Sequence, residues 1–121
     1  MRRLASHGQR RLARVFTPSE LGPRPPRPSR LACVFAVKEA VFKALGRGWG
    51  QGMRWDEVRV GRLPGGRWTV RLRGNARKRL AELDGTAVGI AAAAGRGYAA
   101  ACAVVYGVAN AGTGSPAWRE W

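Results

Sequence analysis

No run of apolar residues in this sequence reaches the ~18 needed for a membrane helix, and the basic N-terminus leads into no apolar segment of the kind a secretory signal carries. Cysteine is scarce: Cys33 and Cys102 each sit inside an apolar run, where a buried, reduced thiol is expected. Histidine is scarcer still. His7 stands alone among N-terminal arginines, and a solvated side chain is expected there. These shortages point to a cytoplasmic chain that does not enter the membrane. A 45% apolar content argues against wholesale disorder, and 121 residues suit one domain with a modest core.

Negative charge is short as well. Seven Asp and Glu stand against 22 Lys and Arg, which leaves a net charge of +15. Such a surface favours an acidic macromolecule or a phosphorylated ligand. Lys38, Lys43 and Lys78 are the only lysines, and the arginines are spread along the chain rather than gathered in one stripe. That spread argues against nucleic acid as the partner.

Leu4, Leu12 and Val15 have loosely helical spacing, interrupted by Gly8. Thr17, Pro18 and Glu20 then form a capping box over a short helix, which Gly22 and the stiff run PRPPRP at 23–28 must end. Ser29 is placed to cap a long helix over 30–46, stopped by Gly46 and Gly48. Its predicted core stripe is Leu31, Val34, Phe35, Val41, Phe42 and Leu45. Lys38 falls within that stripe and is expected to snorkel past the core edge. Strands are predicted over 54–61 and 67–74 around LPGG, then an Asn75-capped helix over 76–84. The alanine-rich segments 86–94 and 98–106 read as a hairpin about Gly95-Arg96-Gly97, with helix as the competing assignment. The fold class is α+β: an antiparallel sheet packed on one long central helix, forming a domain over 1–106 with a loose tail at 107–121.

Glu39 and Lys43 lie four apart on one helix face, beside Ala32 and Ala36, whose small size lets a ligand approach. Taken alone, the two read as a surface ion pair. The five tryptophans are assigned to core and subunit packing rather than to stacking on bases. The longer patterns say more. RVFTPSEL at 14–21, followed by FAVKEAVFKALGRGWGQGMRWDEV at 35–58, resembles the holo-acyl-carrier-protein synthase type of 4′-phosphopantetheinyl transferase. YAAACAVV and the paired strands match the rest of that domain in order, and the resemblance covers about residues 4–106.

The resemblance implies transfer of 4′-phosphopantetheine from coenzyme A to a serine of an acyl carrier protein, with magnesium as cofactor and active sites between the subunits of a homotrimer. It implies Glu39 as metal ligand and Lys43 as the catalytic and phosphate-contacting lysine. Gly46, Gly48, Gly50 and Gly52 are implied as a loop folded closely around coenzyme A. Three departures stand beside it. The family's opening strand, with the aspartate of GxD, falls upstream of Met1, which raises an internal start as one expectation. Ala91 to Ala94 replace SLSH, and Val34 replaces an arginine. An inactive paralogue that binds carrier protein or coenzyme A in a polyketide or fatty-acid pathway is therefore the alternative reading, and a nucleic-acid-binding protein the third.

Overall fold

Thr17 opens a short helix with both halves of the expected capping box. Its hydroxyl accepts from the Glu20 amide at 3.3 Å, and the Glu20 carboxylate accepts from the Thr17 amide at 2.7 Å. Helix α1, Pro18–Leu21, is a single turn closed by Gly22 at φ 75°. The computed structural model describes residues 12–22 and 27–107, of which 12–15 are helical. His7, most of the proline-rich connector and nearly all of the tail lie outside those residues. No helix among the described residues is long and apolar enough to cross a membrane.

Helix α2 is Pro28–Leu45. Ser29 does not cap it, contrary to expectation: Arg27 is the N-cap, without a side-chain bond, and Pro28 takes a first-turn position where its missing N–H costs nothing. Gly46, left-handed at φ 75°, ends the helix as predicted. Val34, Val41, Phe42 and Leu45 are buried, but Leu31 is only half-buried and Phe35 is 37% exposed. Val37, absent from the predicted stripe, is completely buried. The reason is that β1 packs on α2 as well as β3 and β4, so the buried arc is wider than a single stripe.

A 3₁₀ turn at Trp55–Glu57 replaces the first half of the predicted strand and delivers the chain to β1, Val58–Arg62. Trp55 turns inward there, its ring centroid 5.1 Å from those of both Phe35 and Phe42. Strand β2, Trp68–Leu72, pairs antiparallel with β1, Val58 opposite Leu72 and Arg62 opposite Trp68. Helix α3 is Gly74–Glu82. Asn75 lies inside it rather than capping it. The Glu57 carboxylate accepts from the Asn75 and Ala76 amides, so an acid from the preceding turn satisfies the helix start.

Strands β3, Ala87–Gly95, and β4, Tyr98–Tyr106, form the expected hairpin through Arg96-Gly97. Alanine's helix preference loses because the chain gains a nine-pair ladder and half-buries alternate residues of β4 toward α2. Cys33 is buried as expected, but Cys102 is exposed, since its place in that alternation turns it away from the helix. The result is α+β, two antiparallel hairpins against one long helix, with Phe16, Val37, Val41, Met53, Val58 and Ala76 in a shared core.

Candidate functional site

The spacing that puts Glu39 and Lys43 on one face of α2 also brings Ala32, Ala36, Ala40 and Ala44 into line with them. This face and residues 99–103 of β4 bound a cleft of about 720 Å³, which Phe35 also lines. Methyl groups on both walls keep it open, because the half-buried residues of this stretch of β4, Ala99, Ala101 and Ala103, carry nothing longer than a methyl. Glu39 is half-buried and Lys43 exposed. The surface ion pair that their spacing suggested is not made: no ion pair among the described residues engages either one. The cleft thus presents a carboxylate and an ammonium one turn apart over an apolar floor. That arrangement can hold a hard cation at one group and a phosphate at the other.

Magnesium sites use one or two carboxylates, completed by water and substrate phosphates. Glu39 fits the one-carboxylate form of such a site. No group of three His, Cys, Asp or Glu gathers among the described residues, so the remaining ligands would have to come from substrate. The stretch Ala91 to Ala94 lies in β3 opposite Ala99 to Cys102 and brings no polar side chain to the region.

The glycine-rich loop follows α2 directly and is tied down. Arg79 Nε donates to the Leu45 carbonyl at 2.8 Å, the Gly48 amide donates to Gln51 Oε1 at 3.0 Å, and Asn75 Nδ2 donates to the Gly52 carbonyl at 2.6 Å. Gly50 and Gly52 hold φ of 81° and 87°, conformations that a side chain would strain. Gly48 has no such requirement. Trp49, set between two glycines, is 67% exposed, which removes it from the core assignment given to the tryptophans. Trp55 is packed, and Trp68 lies beneath Arg62 at 4.3 Å.

Lys38 does not snorkel. Its side chain is fully buried and forms an ion pair with Glu20 at 3.0 Å, while Nζ also donates to the carbonyls of Trp55 and Val58. Burial pushes the Lys38 ammonium below its ordinary pKa, opposed by the charge and hydrogen bond of Glu20. Sequence reasoning missed this cluster, although a lysine within an apolar stripe was the available sign of a buried partner.

The sequence profile of the 4′-phosphopantetheinyl transferase superfamily matches residues 1–103. The chain belongs to that superfamily. Among its relatives, a holo-[acyl-carrier-protein] synthase of Rhodopseudomonas palustris is 46% identical over 81 residues, 61% of this chain and 58% of that protein. One from a Methylobacterium species is 46% identical over 85 residues, 68% of this chain and 63% of its own length. The chain therefore spans about three fifths of the curated relatives it matches. The crystal structure of holo-[acyl-carrier-protein] synthase from Neisseria meningitidis shares the fold at a TM-score of 0.70 and 26% identity, covering 86% of each chain. That of the Helicobacter pylori enzyme, in complex with coenzyme A, gives 0.72 at 24% identity and covers 83% and 84%.

Proposed function

We propose that this superfamily member acts as a holo-acyl-carrier-protein synthase, moving 4′-phosphopantetheine from coenzyme A to a serine of an acyl carrier protein. The observation that carries the reading is the pair Glu39 and Lys43, one turn apart on the wall of an alanine-lined cleft. Relatives named for this reaction and a solved neighbour in complex with coenzyme A support it. In the reaction the serine oxygen bonds to the phosphorus that carries the pantetheine arm. The bond from that phosphorus to the rest of the pyrophosphate breaks, adenosine 3′,5′-diphosphate leaves, and the serine proton is released.

The cleft accepts the long pantetheine arm against methyl groups. Lys43 places positive charge beside the pyrophosphate and stabilises the negative charge that departs with the nucleotide. Magnesium, held by Glu39 when bound, supplies neutralisation of the pyrophosphate. Gly46, Gly48, Gly50 and Gly52 let the loop close on coenzyme A without side chains in the way. A homotrimer suits the outer face of β3 and β4, where Tyr98, Val104 and Tyr106 are 64%, 60% and 54% exposed. Neighbouring copies would then bring further groups to each cleft. The chain is placed in the cytoplasm, where carrier proteins and coenzyme A are its partners.

A second reading is favoured by one observation. Ala91 to Ala94 offer no imidazole or hydroxyl, which suits a paralogue that binds carrier protein or coenzyme A without transfer. Incubation with apo-acyl carrier protein, coenzyme A and Mg²⁺, followed by intact-mass measurement of the carrier, tests the two. Addition of one phosphopantetheine mass is the expected result. Tight coenzyme A binding with no mass shift would replace the transferase with the binding paralogue.

A further inference from the structure

Asn75 and Arg79 lie four apart on one face of α3 and reach opposite ends of the glycine-rich loop. Asn75 Nδ2 donates to the Gly52 carbonyl, and Arg79 Nε donates to the Leu45 carbonyl, from which the loop departs. Packing sets the rotation of α3 that allows this. Ala76 is completely buried and Leu80 packs against the core, each one residue beyond a gripping side chain. A third tie is weaker: Glu82 Oε2 accepts from Arg79 Nη1 at 3.1 Å and lies 3.7 Å from Nη1 of Arg47, within the loop.

Between the buried residues Leu45 and Met53 the chain runs through seven residues, four of them glycine. Glycine loses more conformational freedom on ordering than any other residue. Left free, such a loop would have to be ordered by its ligand, at the expense of affinity. The two grips differ in what they do for the fold. The Leu45 carbonyl belongs to the last turn of α2 and has no partner within the helix, so Arg79 completes the helix end and sets positive charge there. Lys43 sits in that same turn, on backbone that Arg79 therefore steadies. Gly52, by contrast, is exposed, and water would satisfy its carbonyl. The Asn75 bond adds little to the fold; what it fixes is the loop. We propose that Asn75 and Arg79 are positioning residues for coenzyme A, holding the loop from one face of α3 in its ligand-binding shape before the ligand arrives. This rests on the reading of coenzyme A as the ligand.

The test measures coenzyme A binding to the full chain by calorimetry with Mg²⁺ present, and unfolding in urea alongside. It compares the parent with Asn75→Ala, Arg79→Met, Arg79→Lys and Arg77→Met. Asn75→Ala keeps the backbone amide that Glu57 holds and puts a better helix former into α3, so stability should not fall. Its affinity should fall about fivefold, the scale of one hydrogen bond. Arg79→Met should weaken binding about tenfold, and Arg79→Lys, which can still donate to a carbonyl, should recover part of that loss. Arg77→Met removes the same charge from an exposed neighbour and should stay within about twofold of the parent. Amide exchange at Gly48 and Gln51, which bond to each other, supplies the signature: faster in free Asn75→Ala, equal to the parent at saturating coenzyme A. Unchanged affinity in both Asn75→Ala and Arg79→Met overturns the positioning role and leaves the coenzyme A reading standing. Affinity lost equally in Arg77→Met, or only in step with stability, overturns it as well. A parent chain that does not bind coenzyme A overturns both.

Discussion

Lys38 and Glu20 form a salt bridge of 3.0 Å in which both side chains are completely buried. Lysine Nζ also reaches the Trp55 carbonyl at 2.8 Å and the Val58 carbonyl at 2.7 Å, which uses all three of its donors. Glu20 Oε2 accepts from the Val60 amide at 2.8 Å. One ion pair thus joins α1, α2 and the start of β1. Because Lys38 precedes Glu39 in α2, the same clamp fixes the rotation of the helix that turns Glu39 toward the cleft.

Removing one partner leaves the other as a buried, uncompensated charge. Lys38→Met is expected to lower unfolding free energy by about 3–5 kcal/mol in urea titrations. Glu20→Gln/Lys38→Met should lose less than the two single variants summed, since no charge remains and the amide oxygen still accepts from a backbone N–H. Additive losses would show that the two side chains act independently.

The pH dependence has a definite sign. Burial lowers the folded-state pKa of Lys38 below the ordinary lysine value of 10.5, which the unfolded chain approaches. Between the lowered value and 10.5 the unfolded state holds more protons on this group than the folded state. Its contribution to stability therefore rises with pH across that window. Subtracting the Lys38→Met stability curve from the parent curve isolates the effect, because every other lysine, tyrosine and cysteine is common to both. A difference that falls with increasing pH in this range contradicts the assignment.

Much of the fold was legible because its signals are local. TPSEL encodes its own capping box, and the alternation in WTVRL and the glycines after Leu45 mark a strand and a helix end. The failures were non-local. Ser29 and Asn75 look like caps, but Pro28 and the distant Glu57 carboxylate decide those helix starts. Phe35 and Val37 exchanged their expected burial because strands pack on more of α2 than a single stripe describes. At the site, the spacing of Glu39 and Lys43 was readable, while the cleft opposite them depends on β4 arriving from 60 residues away.

Glu57 couples the 3₁₀ turn to α3 through one carboxylate. Glu57→Ala should cost about 1–2 kcal/mol, the range for loss of a helix N-cap. The same change should speed hydrogen exchange at the Asn75 and Ala76 amides, which the carboxylate holds. It should loosen the glycine loop as well, because Asn75 anchors Gly52. Unchanged exchange at both amides would mean that the helix start is satisfied by other means.

Glu39 offers the sharpest separation of stability from chemistry. It forms no ion pair among the described residues and is only half-buried, so Glu39→Gln should change unfolding free energy by no more than about 0.5 kcal/mol. Its proposed role is to hold a cation against pyrophosphate, which an amide oxygen does poorly. Phosphopantetheine transfer, read as carrier mass shift per minute, should therefore fall by about a hundredfold or more, on the scale of losing a strong electrostatic contact in a transition state. Lys43→Met should differ by raising KM for coenzyme A together with lowering kcat, since the ammonium meets the phosphates in both the bound and the reacting state. Full transfer by Glu39→Gln would remove the metal from this position while leaving the cleft as the coenzyme A site. Loss of stability instead of activity would make Glu39 a structural residue of α2.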